Sequence, residues 1–287
     1  MHSGGIQKYD ATGLVPHYSD SSQVPEHLQK YFAQRKRLFT LYDEPPGCLL
    51  DEEGWYSVTP ELIADQIAER CRCDTILDPF CGVGGNAIAF AKTCQRVVAL
   101  DTSPIRLALA RHNAEIYGVA DRIEFIHCDY LSFARSYLQH NPEDVPSPTT
   151  SSDPARPASP NHTTRKIDVI FLSPPWGGPS YLSSPIKKGS AGEDLQEDAG
   201  EDSHPIYTLN SIQPIPGADL FQLTRKITRN VAFFLPRNTS LEEISKLLPS
   251  GLQTSTKVEV EEEWMGSKLK ALTCYFGGLV DGQEHLY

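Results

Sequence analysis

Three carboxylates stand where apolar runs stop. Asp78 closes Thr75-Ile-Leu-Asp78, Asp101 follows Arg96-Val-Val-Ala-Leu100, and Asp129 comes just after Arg122-Ile-Glu-Phe-Ile-His127. In open parallel sheets, ligands bind beyond the carboxyl ends of the strands. Asp101 lies 23 residues after Asp78, at the tip of the second strand of a β-α-β unit, where a carboxylate can accept both hydroxyls of a ribose. Between the two lies Pro79-Phe-Cys-Gly-Val-Gly-Gly-Asn86. Gly82, Gly84 and Gly85 let the backbone approach a ligand and place amides at a helix N-terminus. The loop lacks the GxGxxG pattern of dinucleotide binding, which disfavours a dehydrogenase. Asp129 can hold an exocyclic amine or simply cap a turn.

A second chemical stretch is Asp168-Val-Ile-Phe-Leu-Ser-Pro-Pro-Trp-Gly-Gly-Pro-Ser-Tyr181. Four apolar residues bounded by turn formers read as a buried parallel strand opening into a loop. Pro174 and Pro175 remove two amide donors, so the carbonyls of Ser173 and Pro174 are held out as acceptors. Trp176 adds a flat indole face, and Gly177-Gly178 turn the backbone away without a side chain. Together they make a slot for a planar ring that bears an amine.

The elements that must position these groups alternate. After the first two strands and the glycine turn, with a helix Ala87–Thr93 between them, the pattern predicts a helix Pro104–Tyr117 ended by Gly118 and a third strand up to His127. The run Val169–Leu172 follows, then a helix Ala218–Asn230, a strand Val231–Leu235, a helix Leu241–Leu248 capped by Thr239 or Ser240, and two closing strands over 253–263 and 271–276. This is an α/β fold: a doubly wound sheet of about seven strands, mostly parallel, with a terminal antiparallel hairpin. Upstream, Pro25–Leu41 has helical spacing with Lys30, Arg35, Lys36 and Arg37 on it, a concentration of charge that suits a polyphosphate. Thr59 reads as the N-cap of a second helix running to about Arg70, with Leu62, Ile63, Ile67 and Ala68 inward. The expected organisation is a loose tail over 1–24, a helical extension over 25–70 and a catalytic domain over 71–287. The Pro/Ser/Thr-rich 141–166 and the irregular 183–211 are flexible insertions within that domain.

Composition narrows the function classes. The 287 residues carry 26 Lys and Arg against 37 Asp and Glu, a formal charge of −11. That balance disfavours a grip on long nucleic acid by its phosphates and leaves room for local contact with one nucleotide or one end. Seven cysteines lack paired CxxC spacing, so neither a disulfide framework nor a metal site is expected, Cys71-Arg72-Cys73 being the nearest approach. No run reaches transmembrane length and no leader pattern opens the chain, so a soluble intracellular protein without membrane contact is expected.

Several stretches then agree in order. Lys30-Tyr-Phe-Ala-Gln-Arg35, Glu53-Gly-Trp-Tyr-Ser-Val-Thr-Pro-Glu61, Ser173-Pro-Pro-Trp-Gly-Gly-Pro-Ser-Tyr181, Phe234-Leu-Pro-Arg-Asn238 and Lys268-Leu-Lys270 resemble the trimethylguanosine synthases over roughly residues 27 to 280. Within the wider group of amino-methyltransferases the loop usually begins with Asn or Asp, where this chain has Ser173. The resemblance implies a class I methyltransferase fold and S-adenosylmethionine as methyl donor. It also implies transfer to the N2 amine of the 7-methylguanosine cap of small nuclear and nucleolar RNAs, in the nucleus or nucleolus and conceivably also the cytoplasm, with ribonucleoprotein partners.

Site roles follow from the same resemblance. Asp101 would bind the donor's ribose, with Asp78, Gly82, Gly84, Asn86, Asn113, Asp129 and Ser173 around it and Phe39, Ser57 and Thr59 closing the pocket. Ser173, Pro174 and Trp176 would be catalytic. Trp176 would stack on the cap guanine, and Lys30, Tyr181, Arg237 and Lys268 would meet the cap phosphates. Two rivals remain: methylation of another nucleobase amine, such as adenine N6 or a tRNA guanine, and a cap-binding module without turnover.

Overall fold

Seven strands form one sheet in the order β3-β2-β1-β4-β5-β7-β6. A computed structural model describes residues 9–141, 166–177, 206–248 and 257–280. The strands are β1 (Thr75–Asp78), β2 (Arg96–Asp101), β3 (Ile123–His127), β4 (Val169–Leu172), β5 (Val231–Pro236), β6 (Val258–Met265) and β7 (Lys268–Phe276). The first five pair in parallel and β7 lies antiparallel between β5 and β6. The central strands β1, β4 and β5 are buried at every position. Their near-continuous apolar sequence follows from helices lying on both sheet faces.

Alternate residues feed two cores. Ile76, Val97, Phe171 and Phe234 face α4 (Glu61–Arg70), α5 (Gly85–Thr93) and α6 (Pro104–Ile116); Leu77, Val98, Ile170 and Phe233 face α7 (Tyr130–His140), α8 (Gly217–Arg225) and α9 (Leu241–Ser245). The order reverses at β1 and β4: the chain moves outward to β2 and β3, then returns to place β4 on the other side of β1. Asp78 and the Ser173 loop therefore leave adjacent strand ends, at the place where such sheets bind ligands.

Several boundaries differ from the sequence reading. Pro25–Leu41 is not one helix but a 3-10 turn (Glu26–Leu28) and two short helices, α1 (Gln29–Phe32) and α2 (Arg35–Leu38). The chain bends at Gln34, with φ −110° and ψ 10°. That bend lets Phe32 and Tyr42 pack around Trp55, at ring separations of 6.2 and 5.6 Å. Trp55 belongs to α3 (Glu52–Ser57), a helix the sequence reading did not predict. Thr59 does not cap α4. Pro60 occupies the cap position and the Thr59 hydroxyl accepts a bond from Asn86 Nδ2 at 3.0 Å. Leu62, expected inward, is 79 % exposed, because Ile63 and Ile67 already fill the face that meets α5. The helix α8 ends at Arg225, before the expected Asn230; the Thr228 hydroxyl instead bonds the Asp168 carbonyl.

Residues 9–24, expected to be loose, are packed. Ala11 N donates to His112 Nδ1 (3.2 Å), the His17 ring stacks on Tyr42 at 4.8 Å, and Val24 is buried. Isolated apolar residues reach the core here without making a period that the sequence could display. The extension shares one core with α4, α5 and α6 rather than forming a separate unit. Likewise the end of 183–211 is tied down: Tyr207 N donates to the Asn238 carbonyl, Ser240 N to the Tyr207 carbonyl, and Leu209 is buried. Tyr181, nearly all of 141–166 and most of 183–211 lie outside the described residues.

Candidate active site

At the end of β1, Asp78 is fully buried. One carboxylate oxygen accepts from Phe80 N at 3.4 Å and the other has no partner. Burial, with the charge of Asp101 added, pushes its pKa up to about 7. Asp101 accepts from Gly82 N (3.0 Å) and Ser103 N (2.7 Å). Burial still raises its pKa against those bonds and the nearby Arg106. Two carboxylates thus stand on neighbouring strand tips, and one buried Asp78 oxygen is left without a donor.

The glycines divide by task. Gly82 has φ +52°, and no atom lies within 4 Å of where a Cβ would stand, so its backbone borders open space. Gly84, at φ +93°, would bring a Cβ to 3.0 Å from Ala110 Cβ, so its bareness serves the contact of the turn with α6. Asn86 donates to Thr59 and keeps a buried Oδ1 without a partner.

Other expected donor-pocket residues have different surroundings. Asn113 is fully buried; its Oδ1 accepts from Leu49 N (2.8 Å), and its Nδ2 donates to the carbonyls of Leu49 and Val83 (both 2.9 Å). It thus brackets the extension to the glycine turn. Phe39 is buried, 6.0 Å from the Tyr117 ring, and supports the wall from inside. Ser57 ends α3 and is exposed. Asp129 caps α7, accepting from Ser132 N (2.9 Å), and the Ser132 hydroxyl together with that N–H holds its carboxyl below its ordinary pKa.

Across from these groups, Ser173 is half-buried, Pro174 buried and Trp176 half-buried. The indole packs 5.2 Å from the Phe234 ring with a 32° tilt. Tyr207 OH donates to the Trp176 carbonyl at 3.5 Å, so the segment that follows 183–205 in the chain braces the loop. A cleft of about 660 Å³ opens between the loop residues Pro175 and Gly177 and the α3 side, where Asp51, Glu53, Tyr56 and Arg106 line it. Arg106 pairs with Asp51 (2.8 Å) and with Glu53. Asp51 also caps α3 through Gly54 N. That wall was missed, although an aspartate followed by two glutamates is a helix-start signal.

Farther out, positive charge gathers from three segments. Lys270 has its pKa lowered by burial and then by Lys268, Arg237, Arg37 and Lys30. Lys30, Lys268 and Arg237 are the three described members of the expected phosphate set; Lys270 and Arg37 are additions. Arg237 Nη1 donates to the Leu269 carbonyl at 3.3 Å, tying the exit of β5 to β7. Among the described residues, Lys30, Arg37, Lys268 and Lys270 have no carboxylate at ion-pair distance, whereas Arg35 and Lys36 both pair with Asp43.

The comparisons with known proteins agree with this geometry. The family model of RNA cap guanine-N2 methyltransferases matches residues 73–186 and 202–279. The trimethylguanosine synthase of Schizosaccharomyces pombe is 34 % identical over 258 residues, 88 % of this chain and 87 % of that protein. The enzyme of the same name from Saccharomyces cerevisiae is 29 % identical over 255 residues, covering 87 % and 67 %. A crystal structure from Porphyromonas gingivalis, assigned as a methyltransferase, superposes with a TM-score of 0.52 at 12 % identity, over 88 % of this chain and 51 % of that one. The last likeness concerns the fold alone. The match of family and full-length relatives, laid over a sheet with paired carboxylates beside a Pro-Pro-Trp loop, places this chain among the S-adenosylmethionine-dependent RNA cap guanine-N2 methyltransferases.

Proposed function

We propose that the chain methylates the N2 amine of a 7-methylguanosine cap twice, giving 2,2,7-trimethylguanosine. In this reading its substrates are small nuclear and small nucleolar RNAs, met in the nucleus or nucleolus together with ribonucleoprotein partners. The observation that carries it is the run of adjacent strands β2, β1 and β4, which sets Asp101, Asp78 and the Ser173-Pro174-Pro175-Trp176 loop on one rim.

The residues fit the methyl donor. Asp101 accepts from the ribose hydroxyls, and the unpartnered oxygens of Asp78 and Asn86 accept from its polar groups. The open backbone at Gly82 admits close approach. S-adenosylmethionine supplies an electrophilic methyl group on a cationic sulfur.

Everything else falls to the chain. Trp176 offers its indole face to the cap base. A 7-methylguanine is positively charged, so stacking on indole adds about 0.5 to 2 kcal/mol over an uncharged guanine. The N2 lone pair is delocalised into the ring. Carbonyl oxygens of Ser173 and Pro174 accept the amine protons, favour a pyramidal nitrogen and stabilise the positive charge that grows on it. No strong base is needed, because the product ammonium is acidic and loses its proton to water. Holding both reactants in line contributes most of the rate. Lys30, Arg237 and Lys268 hold the cap phosphates.

Incubation with 7-methylguanosine triphosphate and the donor, followed by mass detection, tests the reading: products heavier by one and then two methyl groups are expected. No gain in mass while the donor binds by calorimetry would overturn it. Unaltered trimethyl caps on small nuclear RNA after depletion of the chain would remove the RNA assignment.

A further inference from the structure

The positive cluster holds more charge than a cap triphosphate needs. Three bridging phosphates carry three negative charges, and Lys30, Arg237 and Lys268 already match them in number. Lys270 and Arg37 remain. Pro236 pairs with Ala271 in the β5–β7 ladder, so Arg237 and Lys270 leave the sheet side by side. Like charges so placed repel across a ladder. Lys268 and Lys270 also share one side of β7, two residues apart. A chain with a formal charge of −11 has carboxylates to spare, yet among the described residues none pairs with Arg37 or Lys270. On α2 the contrast is direct: Arg35 and Lys36 are neutralised by Asp43 and their neighbour Arg37 is not. A bound anion would relieve this repulsion.

Building on the cap reading above, we infer that Lys270 and Arg37 extend the phosphate site past the cap and hold the first one or two internucleotide phosphates of the RNA. The true ligand is then a capped chain, with the cap alone an incomplete one. Specificity for base sequence does not follow, since phosphate contacts position without reading bases. Local extension by two charges also agrees with the acidic surface elsewhere, which opposes a longer RNA track.

The full chain is titrated with a free cap, 7-methylguanosine joined through its triphosphate to a single nucleoside, and with a capped trinucleotide that has two internucleotide phosphates, at low and moderate salt. Two added contacts steepen the salt dependence for a single strand by about 1.4 in log–log slope. Between about 50 and about 200 mM salt the capped trinucleotide should therefore lose about sevenfold more affinity than the free cap. In the double variant Lys270→Ala, Arg37→Ala that difference should vanish, and Lys270→Arg should retain it. Equal slopes for the two ligands in the unaltered chain would overturn the inference. So would a double variant that weakens both ligands by the same factor, for then both cations serve the triphosphate. If the free cap is neither bound nor methylated, the cap reading falls and this inference with it; normal methylation of the free cap with equal slopes would sink only the extension.

Discussion

The two walls of the site carry opposite charge, and each is left incomplete by the protein itself. On the donor wall, Asp78 and Asp101 are desolvated at adjacent strand tips, with one Asp78 oxygen lacking a partner. In the second region, Lys30, Lys268 and Arg37 lie close enough to Lys270 to lower its pKa, and none of the four has a carboxylate at ion-pair distance among the described residues. Other cations of the molecule are paired, Arg70 with Glu259 at 2.9 Å and Lys92 with Asp65 at 2.8 Å. Unpaired negative charge in the interior waits for a cationic, hydroxyl-bearing ligand. The two regions also differ in burial: Asp78 is fully buried, whereas Lys30 and Lys268 are exposed.

Breaking the acceptor wall at its centre should have the largest effect. Trp176→Ala is expected to lower turnover on capped substrate by about a hundredfold or more, since a misplaced reactant alone costs that much. Donor affinity by calorimetry should barely change. Equal turnover by mass spectrometry would remove the indole from the reaction.

On the donor wall, Asp101→Ala should weaken donor binding by about 10- to 100-fold, the loss of charge-assisted hydrogen bonds worth about 1.5 to 3 kcal/mol. Unchanged calorimetric affinity would remove Asp101 from that pocket. The acceptor's own charge gives a smaller contrast. A cap lacking the 7-methyl group should be poorer by about 2- to 30-fold in kcat/KM, the range that about 0.5 to 2 kcal/mol of cation–π energy allows. Equal rates on both caps would discard that account.

The smallest effect sharpens the comparison through pH. With a folded-state pKa of about 7, Asp78 is ionised above that value and protonated below it. Donor affinity should rise several-fold as pH increases through about 7 and flatten in Asp78→Asn, where it is weaker throughout. Stability moves the other way. Between about 4 and about 7 the unfolded chain releases a proton that native Asp78 keeps, so this residue makes the ligand-free protein less stable as pH rises. Asp78→Asn should therefore raise its melting temperature at pH 8 relative to the unaltered chain, and the gain should shrink as pH falls below about 7. A lowered melting temperature there would show that the carboxylate is satisfied.

The sequence made most of the parallel sheet legible because its strands are short, fully apolar and separated by periodic helices. Val169–Leu172 and Val231–Pro236 could hardly be read otherwise. The loop residues Ser173 to Trp176 and the carboxylate tips were legible for the same reason: they begin where those runs end. The extension was less so. Its order comes from single residues such as Ala11, Val24 and Trp55 reaching a core built mostly by distant helices, and a window of local sequence holds no trace of that core. Asn113 shows the limit at a single position. The resemblance implies a place for it in the donor pocket, but its side chain makes bonds to Leu49 and Val83 that no spacing rule could supply.

By itself, then, the sequence determined strand identity, the two chemical loops and the alternation that leads to a doubly wound sheet, because each depends on neighbours a few residues away. Only the tertiary structure decided that Lys30 and Arg37, Arg237, and Lys268 and Lys270 share one field, and that Asp51, Glu53 and Arg106 wall the cleft. Those groupings join residues as far apart in the chain as Lys30 and Lys270. They arise from strand order and from the extension folding back on α6, where packing over the whole chain outweighs any local preference.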